Sequence, residues 1–290
     1  FYMQLIFEHK KRNTEKALGI AKITDNPKTM KEAIKNLPYE LTKGEGSQEE
    51  AIKKIIQKLK EPTAENLLIS ADTGSGKSTI ASAACLYTFD CGYQSCLLGP
   101  TEILAKQLYD TFIKMIAPLK DKPVVAYLSG ATKAKEKKEI LNAVKNGTVD
   151  VLIGTHSILN VEYNNLGLVV IDEQQKFGAN QREALLNSRK DGRKVDMLSQ
   201  TATPIPRTTA LALYGDVELI TITQKPAGRK ENITQWIKKS SDTFLKELVS
   251  TEWTHIYNEI EKGHQVFIVT PAVQEKAKSA SVEKTTKILT

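Results

Sequence analysis

A chain of 290 residues is long enough for one large or two medium domains, each with its own core. With 40% hydrophobic and 26% charged residues, no apolar run near the ~20 residues that span a bilayer and no signal-peptide pattern, the expectation is a cytoplasmic globular protein with no membrane partner. The net charge of +7 admits a polyanionic partner, but Lys133, Lys135, Lys137 and Lys138 interleave with Glu136 and Glu139, which a solvated helix face explains at least as well.

In chain order, the sequence begins at Phe1 rather than Met, which reads as a fragment of a longer protein. Residues 1–20 resemble the end of a helix, with Phe1, Leu5 and Ile6 apolar, followed by a charged tail. A short helix is expected between Thr24 and Asn36, then a turn over Leu37-Pro38-Tyr39-Glu40-Leu41-Thr42. Ser47 with Glu50 forms a capping box, and Ala51, Ile52, Ile55, Ile56 and Leu59 make one apolar stripe. From Ser47 to Thr223, strand-like and helix-like segments alternate. Strands are expected at 66–70, 95–99, 123–128, 149–154, 166–171, 194–199 and 217–222, with helices at 101–117, 133–146 and 180–190. That rhythm predicts an α/β fold of βαβ units, a parallel sheet covered by helices on both faces. Cys85, Cys91 and Cys96 lack metal-ligand spacing and read as buried thiols of a reducing compartment. Pro226 and Gly228 interrupt periodicity and mark a linker. A strand (232–237), a helix (242–262) and a strand (264–270) then begin a second α/β domain.

The chemistry starts at Asn66–Ser70, a buried-strand pattern that empties into Ala71-Asp72-Thr73-Gly74-Ser75-Gly76-Lys77-Ser78 and then a helical sequence from Thr79. Strand, glycine-rich turn ending Gly-Lys-Ser and helix make a phosphate-binding P-loop. Gly74 and Gly76 let successive N–H groups converge on an anion at a helix N-terminus. Lys77 would reach the β- and γ-phosphates of ATP, and the Ser78 hydroxyl would ligate Mg2+. Ala71 stands where the usual pattern has Gly, which the loop tolerates at negative φ. A second strand, Leu166–Ile171, delivers Asp172-Glu173-Gln174-Gln175. Asp172 would hold Mg2+ and Glu173 would deprotonate the attacking water, so the pair implies an ATPase rather than a passive phosphate binder.

Further loops leave the carboxyl ends of other expected strands. Pro100-Thr101 opens a helix whose N-terminus could contact a phosphate oxygen, although in isolation an ordinary N-cap is the stronger reading. Gly154-Thr155-His156-Ser157 offers similar donors, with His156 taken alone more readily structural than catalytic. Gln200-Thr201-Ala202-Thr203-Pro204-Ile205-Pro206-Arg207-Thr208 forms a stiff loop of small hydroxylated residues able to sense the acidic pair, with Arg207 available to a phosphate or to the next domain.

Together, the P-loop, Pro100 to Ala105, Gly154-Thr155-His156, Asp172 to Gly178 and Thr201 to Thr208 resemble superfamily 2 helicases, and within them the RecG-type ATP-dependent DNA translocases. The resemblance implies two RecA-like lobes. Residues 1–46 would be a helical connector from a wedge domain, 47–223 the ATP-binding lobe, 224–231 a linker and 232–290 the start of the second lobe. It implies ATP and Mg2+ bound through Gln48 (the adenine-reading glutamine), Thr73, Gly74, Ser75, Gly76, Lys77, Ser78, Thr79 and Asp172, with Glu173 as base. DNA would be held at Pro100, Thr101, Gly154, Thr155 and His156. Coupling would run through Gln175, Thr201, Ala202, Thr203 and Arg207. The implied function is remodelling of branched DNA, stalled forks and Holliday junctions, by a monomer in recombination and repair. The runner-up is the motor of an Mfd-type transcription-repair coupling translocase, and a nucleotide- or DNA-binding module without turnover is the alternative from another class. Two departures stand out. Gln175 replaces the family's usual His, and the spacing from Thr42 to Gln48 is three residues longer than usual, which bears on the adenine contact. The later motifs of the family, including its arginine finger, are not in the sequence, so the chain alone is expected to turn over ATP poorly.

Overall fold

Segments of four to seven residues become the strands of one seven-stranded parallel sheet in a computed structural model that describes residues 17–173, 185–189, 191–202, 217–224, 234 and 250–267. The strands are β1 (Asn66–Ala71), β2 (Gln94–Leu98), β3 (Val125–Leu128), β4 (Val151–Gly154), β5 (Leu166–Asp172), β6 (Asp196–Thr201) and β7 (Glu218–Ile222). Their order across the sheet is β3-β4-β2-β5-β6-β1-β7, and every pairing is parallel. The RecA-like α/β expectation is met.

Both faces of the sheet are covered, which is why the central strands β2, β5 and β6 are buried along nearly their whole length rather than at alternate residues. Their side chains still alternate in space. Leu97, Leu168 and Val170 join a core with Ile55, Leu86 and Phe112, whereas Cys96, Leu98, Val169 and Ile171 join a second core with Val144 and Leu185. The first core is closed by α1 (Lys28–Lys35), α2 (Gln48–Leu59), α3 (Lys77–Asp90) and α4 (Glu102–Ile116), and the second by α5 (Ala134–Lys145). Cys85 and Cys96 are buried free thiols whose pKa burial pushes up, Cys96 to about 12, while Cys91 is half-buried. Among the described residues, no helix is long and apolar enough to cross a membrane.

The expected element boundaries shift where specific contacts decide them. The helix expected from Thr24 starts only at Lys28, after Pro27, because the residue before a proline avoids helical φ/ψ. Its first N–H groups, of Thr29 and Met30, are instead satisfied by the distant Asp90 carboxylate at 3.1 and 3.0 Å. Ser47 does cap α2, accepting from Glu50 N–H at 3.1 Å, but the Glu50 carboxylate reaches Gly46 N–H at 2.6 Å, one residue before the cap. Of the helix expected at 180–190, only 185–189 lie among the described residues.

The expectation of a helix end and charged tail over residues 1–20 is corrected over its described part, residues 17–20. Leu18 forms an antiparallel bridge with Thr63, and Gly19 N–H donates to Pro62 O at 2.9 Å. The cause is burial. Ile20 is buried, and the fully buried Lys22 ammonium pairs with the Asp196 carboxylate at the start of β6. Burial pushes the Asp196 carboxyl up to about 6, opposed by the Lys22 charge and by a hydrogen bond from Glu65 N–H.

Two units divide at Arg229/Lys230. In the second, α6 (Ser250–Glu261) is followed by Lys262 and His264, both bonded to the Glu259 carboxylate at 2.7 and 2.6 Å. The strand expected at 264–270 is not formed in its described part, 264–267, and the strand expected at 232–237 lies almost wholly outside the described residues.

Candidate nucleotide and nucleic-acid site

The P-loop runs from the end of β1 into α3. Ala71 ends the strand without a positive φ, so the methyl group in place of the usual hydrogen costs no backbone strain. Gly74 and Gly76 take φ of +76° and +86°, and Gly76 is the N-cap of α3. A Cβ on Gly76 would sit 2.2 Å from Gln48 Nε2, so a side chain there would strain the backbone and push the Gln48 amide off the loop. Gln48 is buried. Its Nε2 donates to Ser75 O at 2.8 Å and its Oε1 accepts from Thr42 N–H at 3.1 Å, while its own N–H donates to Thr42 Oγ1 at 2.9 Å. The longer spacing therefore still delivers Gln48 to the loop.

Lys77 Nζ donates back to Ala71 O at 2.7 Å and Asp72 O at 2.9 Å, which holds the ammonium over the loop. Thr79 is buried at the start of α3, where its Oγ1 shares a 2.7 Å hydrogen bond with the exposed Tyr39 hydroxyl. Sequence reasoning missed Tyr39 because it treats 37–42 only as a turn, and a bond across 40 residues leaves no local pattern.

Acidic and coupling residues arrive on neighbouring strands. Asp172 ends β5, half-buried, and lines with Ser78 one cavity of about 440 Å3 whose other walls include Leu104, Gln107 and Thr111 of α4. Glu173 takes φ +53°, the one described non-glycine residue in the left-handed region, a strain that bends the chain away from the strand line at the candidate base. Thr201, buried, ends β6 beside half-buried Ala202, and the preceding Gln200 donates from Nε2 to Lys77 O at 3.1 Å. That bond joins β6 to the start of α3, and the sequence reading did not single it out. Gln175, Thr203 and Arg207 lie outside the described residues.

The donor set fits Mg2+. Ser78 and Asp172 offer hard oxygens on one cavity, and among the described residues no cluster of three His, Cys, Asp or Glu side chains makes an all-protein metal site. Few protein ligands, with the remainder from phosphate and water, is what a small, reluctantly dehydrated dication takes. Ser75 Oγ, buried in the same loop, has no hydrogen-bond partner among the described residues.

The remaining candidates sit on the other half of the rim, after β2, β4 and β3. Thr101 is exposed and caps α4, its Oγ1 accepting from Leu104 N–H at 3.3 Å; Pro100 beside it is half-buried. Gly99 N–H bonds to Gly154 O at 2.9 Å and Thr155 N–H to Leu128 O at 3.3 Å, which ties the three strand ends together. Thr155 and Ser157 hydroxyls share a 3.1 Å bond, and His156 is exposed in the 3-10 turn His156–Ile158. A loop the sequence reading overlooked, Ser129–Thr132, joins this rim through Ala131 N–H donating to the Glu102 carboxylate at 3.2 Å. A glycine and two hydroxyls after an apolar run was the available signal.

A family model described as DEAD/DEAH box helicase matches residues 46–211. The chain is 40% identical over 242 residues to the ATP-dependent DNA helicase RecG of Streptococcus pneumoniae, covering 83% of this chain and 34% of that protein. It is 39% identical over 280 residues to the ATP-dependent DNA helicase RecG of Thermotoga maritima, covering 96% of this chain and 34% of that one. The solved structure of RecG bound to a three-way DNA junction is similar with a TM-score of 0.73 at 35% identity, over 90% of this chain and 33% of that chain. The chain thus spans about a third of the length of these relatives.

Proposed function

The chain belongs to the DEAD/DEAH box helicases, and from that premise we propose that it forms the ATP-binding motor lobe of a RecG-type DNA helicase that remodels branched DNA in recombination and repair. One observation carries the reading. The P-loop, the Asp172-Glu173 pair and the Gln200-Thr201 strand end lie on β1, β5 and β6, close neighbours at one rim, and Ser78 and Asp172 line the same cavity.

Lys77, now over the Ala71 and Asp72 carbonyls, turns its ammonium to the β- and γ-phosphates, while Gly74, Ser75 and Gly76 present N–H groups to the same anion. Gln48 sets the loop and meets the adenine, with Thr73 and Thr79 completing the nucleotide contacts. Ser78 and Asp172 hold Mg2+, which when bound neutralises charge developing on the transferred phosphoryl group. Glu173 takes the proton of the attacking water. Gln200, bonded to Lys77 O, carries the state of the P-loop to Thr201 and Ala202, and Gln175, Thr203 and Arg207 belong to the same coupling set.

DNA phosphates meet Pro100, Thr101, Gly154, Thr155 and His156 on the β2-β4-β3 half of the rim, so fuel and track occupy adjoining halves of one rim. The solved RecG structure with a three-way DNA junction supports branched DNA as the track. We further propose that the protein works as a monomer in the cytoplasm. ATP hydrolysis by the whole protein, measured with a three-way junction and with linear duplex, tests the proposal. Stimulation greater with the junction is expected. Equal rates with junction, duplex and no DNA contradict it, and ATP binding without any turnover favours a binding module instead.

A further inference from the structure

The extra length between Thr42 and Gln48 is gripped by the residues that follow β7. Thr223 and Gln224 both donate their backbone N–H to Gly46 O, at 3.0 and 3.2 Å. The Gln224 side chain donates from Nε2 to Lys43 O at 3.0 Å and to Glu45 O at 2.9 Å. Gly44 and Gly46 take φ of +99° and +66°, and a Cβ on Gly46 would lie 2.2 Å from Thr223 Oγ1, so a side chain there would strain the backbone and displace the Thr223 hydroxyl.

On its other side, the loop is continuous with the nucleotide site. Gly46 N–H is held by the Glu50 carboxylate, Ser47 caps α2, and Gln48 next to it divides its amide between Thr42 and the P-loop carbonyl of Ser75. Ile222, just before the gripping residues, is in register with Ala71 at the start of the P-loop. A chain of hydrogen bonds and short covalent steps thus runs from Gln224 through Lys43–Gly46 and Gln48 to Ser75.

We propose that Gln224 is a positioning residue for nucleotide binding, acting through the Lys43–Gly46 loop to set Gln48 against the P-loop; this rests on reading Ala71–Ser78 as the ATP site. Four carbonyl contacts converge from two residues at the point where the chain leaves β7, and three of the loop's own carbonyls, those of Lys43, Glu45 and Gly46, receive them. Coupling free energies are reciprocal, so nucleotide at the P-loop tightens the hold on Thr223 and Gln224.

The test is titration of the 290-residue chain with a fluorescent ATP analogue and Mg2+, together with amide hydrogen exchange at Thr223 and Gln224. Gln224→Ala weakens binding roughly three- to tenfold, the scale of one or two lost hydrogen bonds. Gln224→Lys, which keeps N–H donors of similar reach, restores most of the affinity. With Gly44, Glu45 and Gly46 removed, Gln224→Ala has a smaller effect, because of the two carbonyls its side chain serves only that of Lys43 remains. In the wild type, nucleotide slows exchange of the Thr223 and Gln224 amides. Wild-type affinity in Gln224→Ala, an equal loss in the shortened-loop background, or exchange indifferent to nucleotide overturns the proposal while leaving the site intact. If wild type and Lys77→Ala bind the analogue equally, the site reading itself fails, and the proposal with it.

Discussion

Glu173 combines an acidic side chain with a left-handed backbone, φ +53°, directly after the strand that delivers Asp172. A strained residue of this kind persists only where its surroundings over-determine it, and such residues cluster at functional sites. In the whole protein, Glu173→Gln should bind ATP as before and lose about 10²–10⁴-fold in turnover, the range of general-base catalysis. Single-turnover hydrolysis beside a binding titration measures both, and near-normal turnover would remove Glu173 from the base role. Gly76→Ala makes a second residue-scale test. Its Cβ would meet Gln48 Nε2 at 2.2 Å in a conformation with φ +86°, so the loop must shift and nucleotide affinity should fall sharply. Unchanged affinity would mean that the loop and Gln48 are not mutually fitted.

At the scale of elements, the strands were the legible part. A parallel strand buried on both faces tends to be a short apolar run, and all seven segments expected in the first unit became strands with ends displaced by at most two residues. The P-loop and the acidic pair were legible because each packs its chemistry into a few consecutive residues. What escaped was long-range pairing. Lys22 reads as a surface charge, yet it is buried because Asp196 stands opposite it, 174 residues later in the chain. The Tyr39–Thr79 and Gln224–Lys43 bonds likewise join distant segments and leave no trace in local periodicity. Gln94 shows what such contacts do for the sheet. At the start of β2 it donates to Val144 O and Val149 O and accepts from Asn164 and Asn165 N–H, so it binds the end of α5 to the approach to β5. Gln94→Leu leaves those groups without the partner and should cost about 2–4 kcal/mol, since each buried group left unsatisfied costs ~1–3 kcal/mol. Equilibrium denaturation in urea reads the loss, and a shift below measurement error would mean water replaces the side chain.

Over the whole first unit, structure and function separate by end. The carboxyl rim carries the candidate ATP and DNA residues, whereas the amino end of the sheet is fastened by the buried Lys22–Asp196 pair. Breaking that pair should damage stability and spare the site. Asp196→Asn strands a buried ammonium, for which ~3–5 kcal/mol is expected, and the folded fraction should still bind nucleotide. Loss of binding with stability intact would contradict this division. Whether the rim over β5, β6 and β1 is an ATP site is decided by titrating Mg2+ and a fluorescent ATP analogue into the wild-type chain and into Lys77→Ala. Saturable binding by the wild type and none by Lys77→Ala is expected, because no neighbouring group can replace that compact charge against the phosphates. Equal affinities would contradict it.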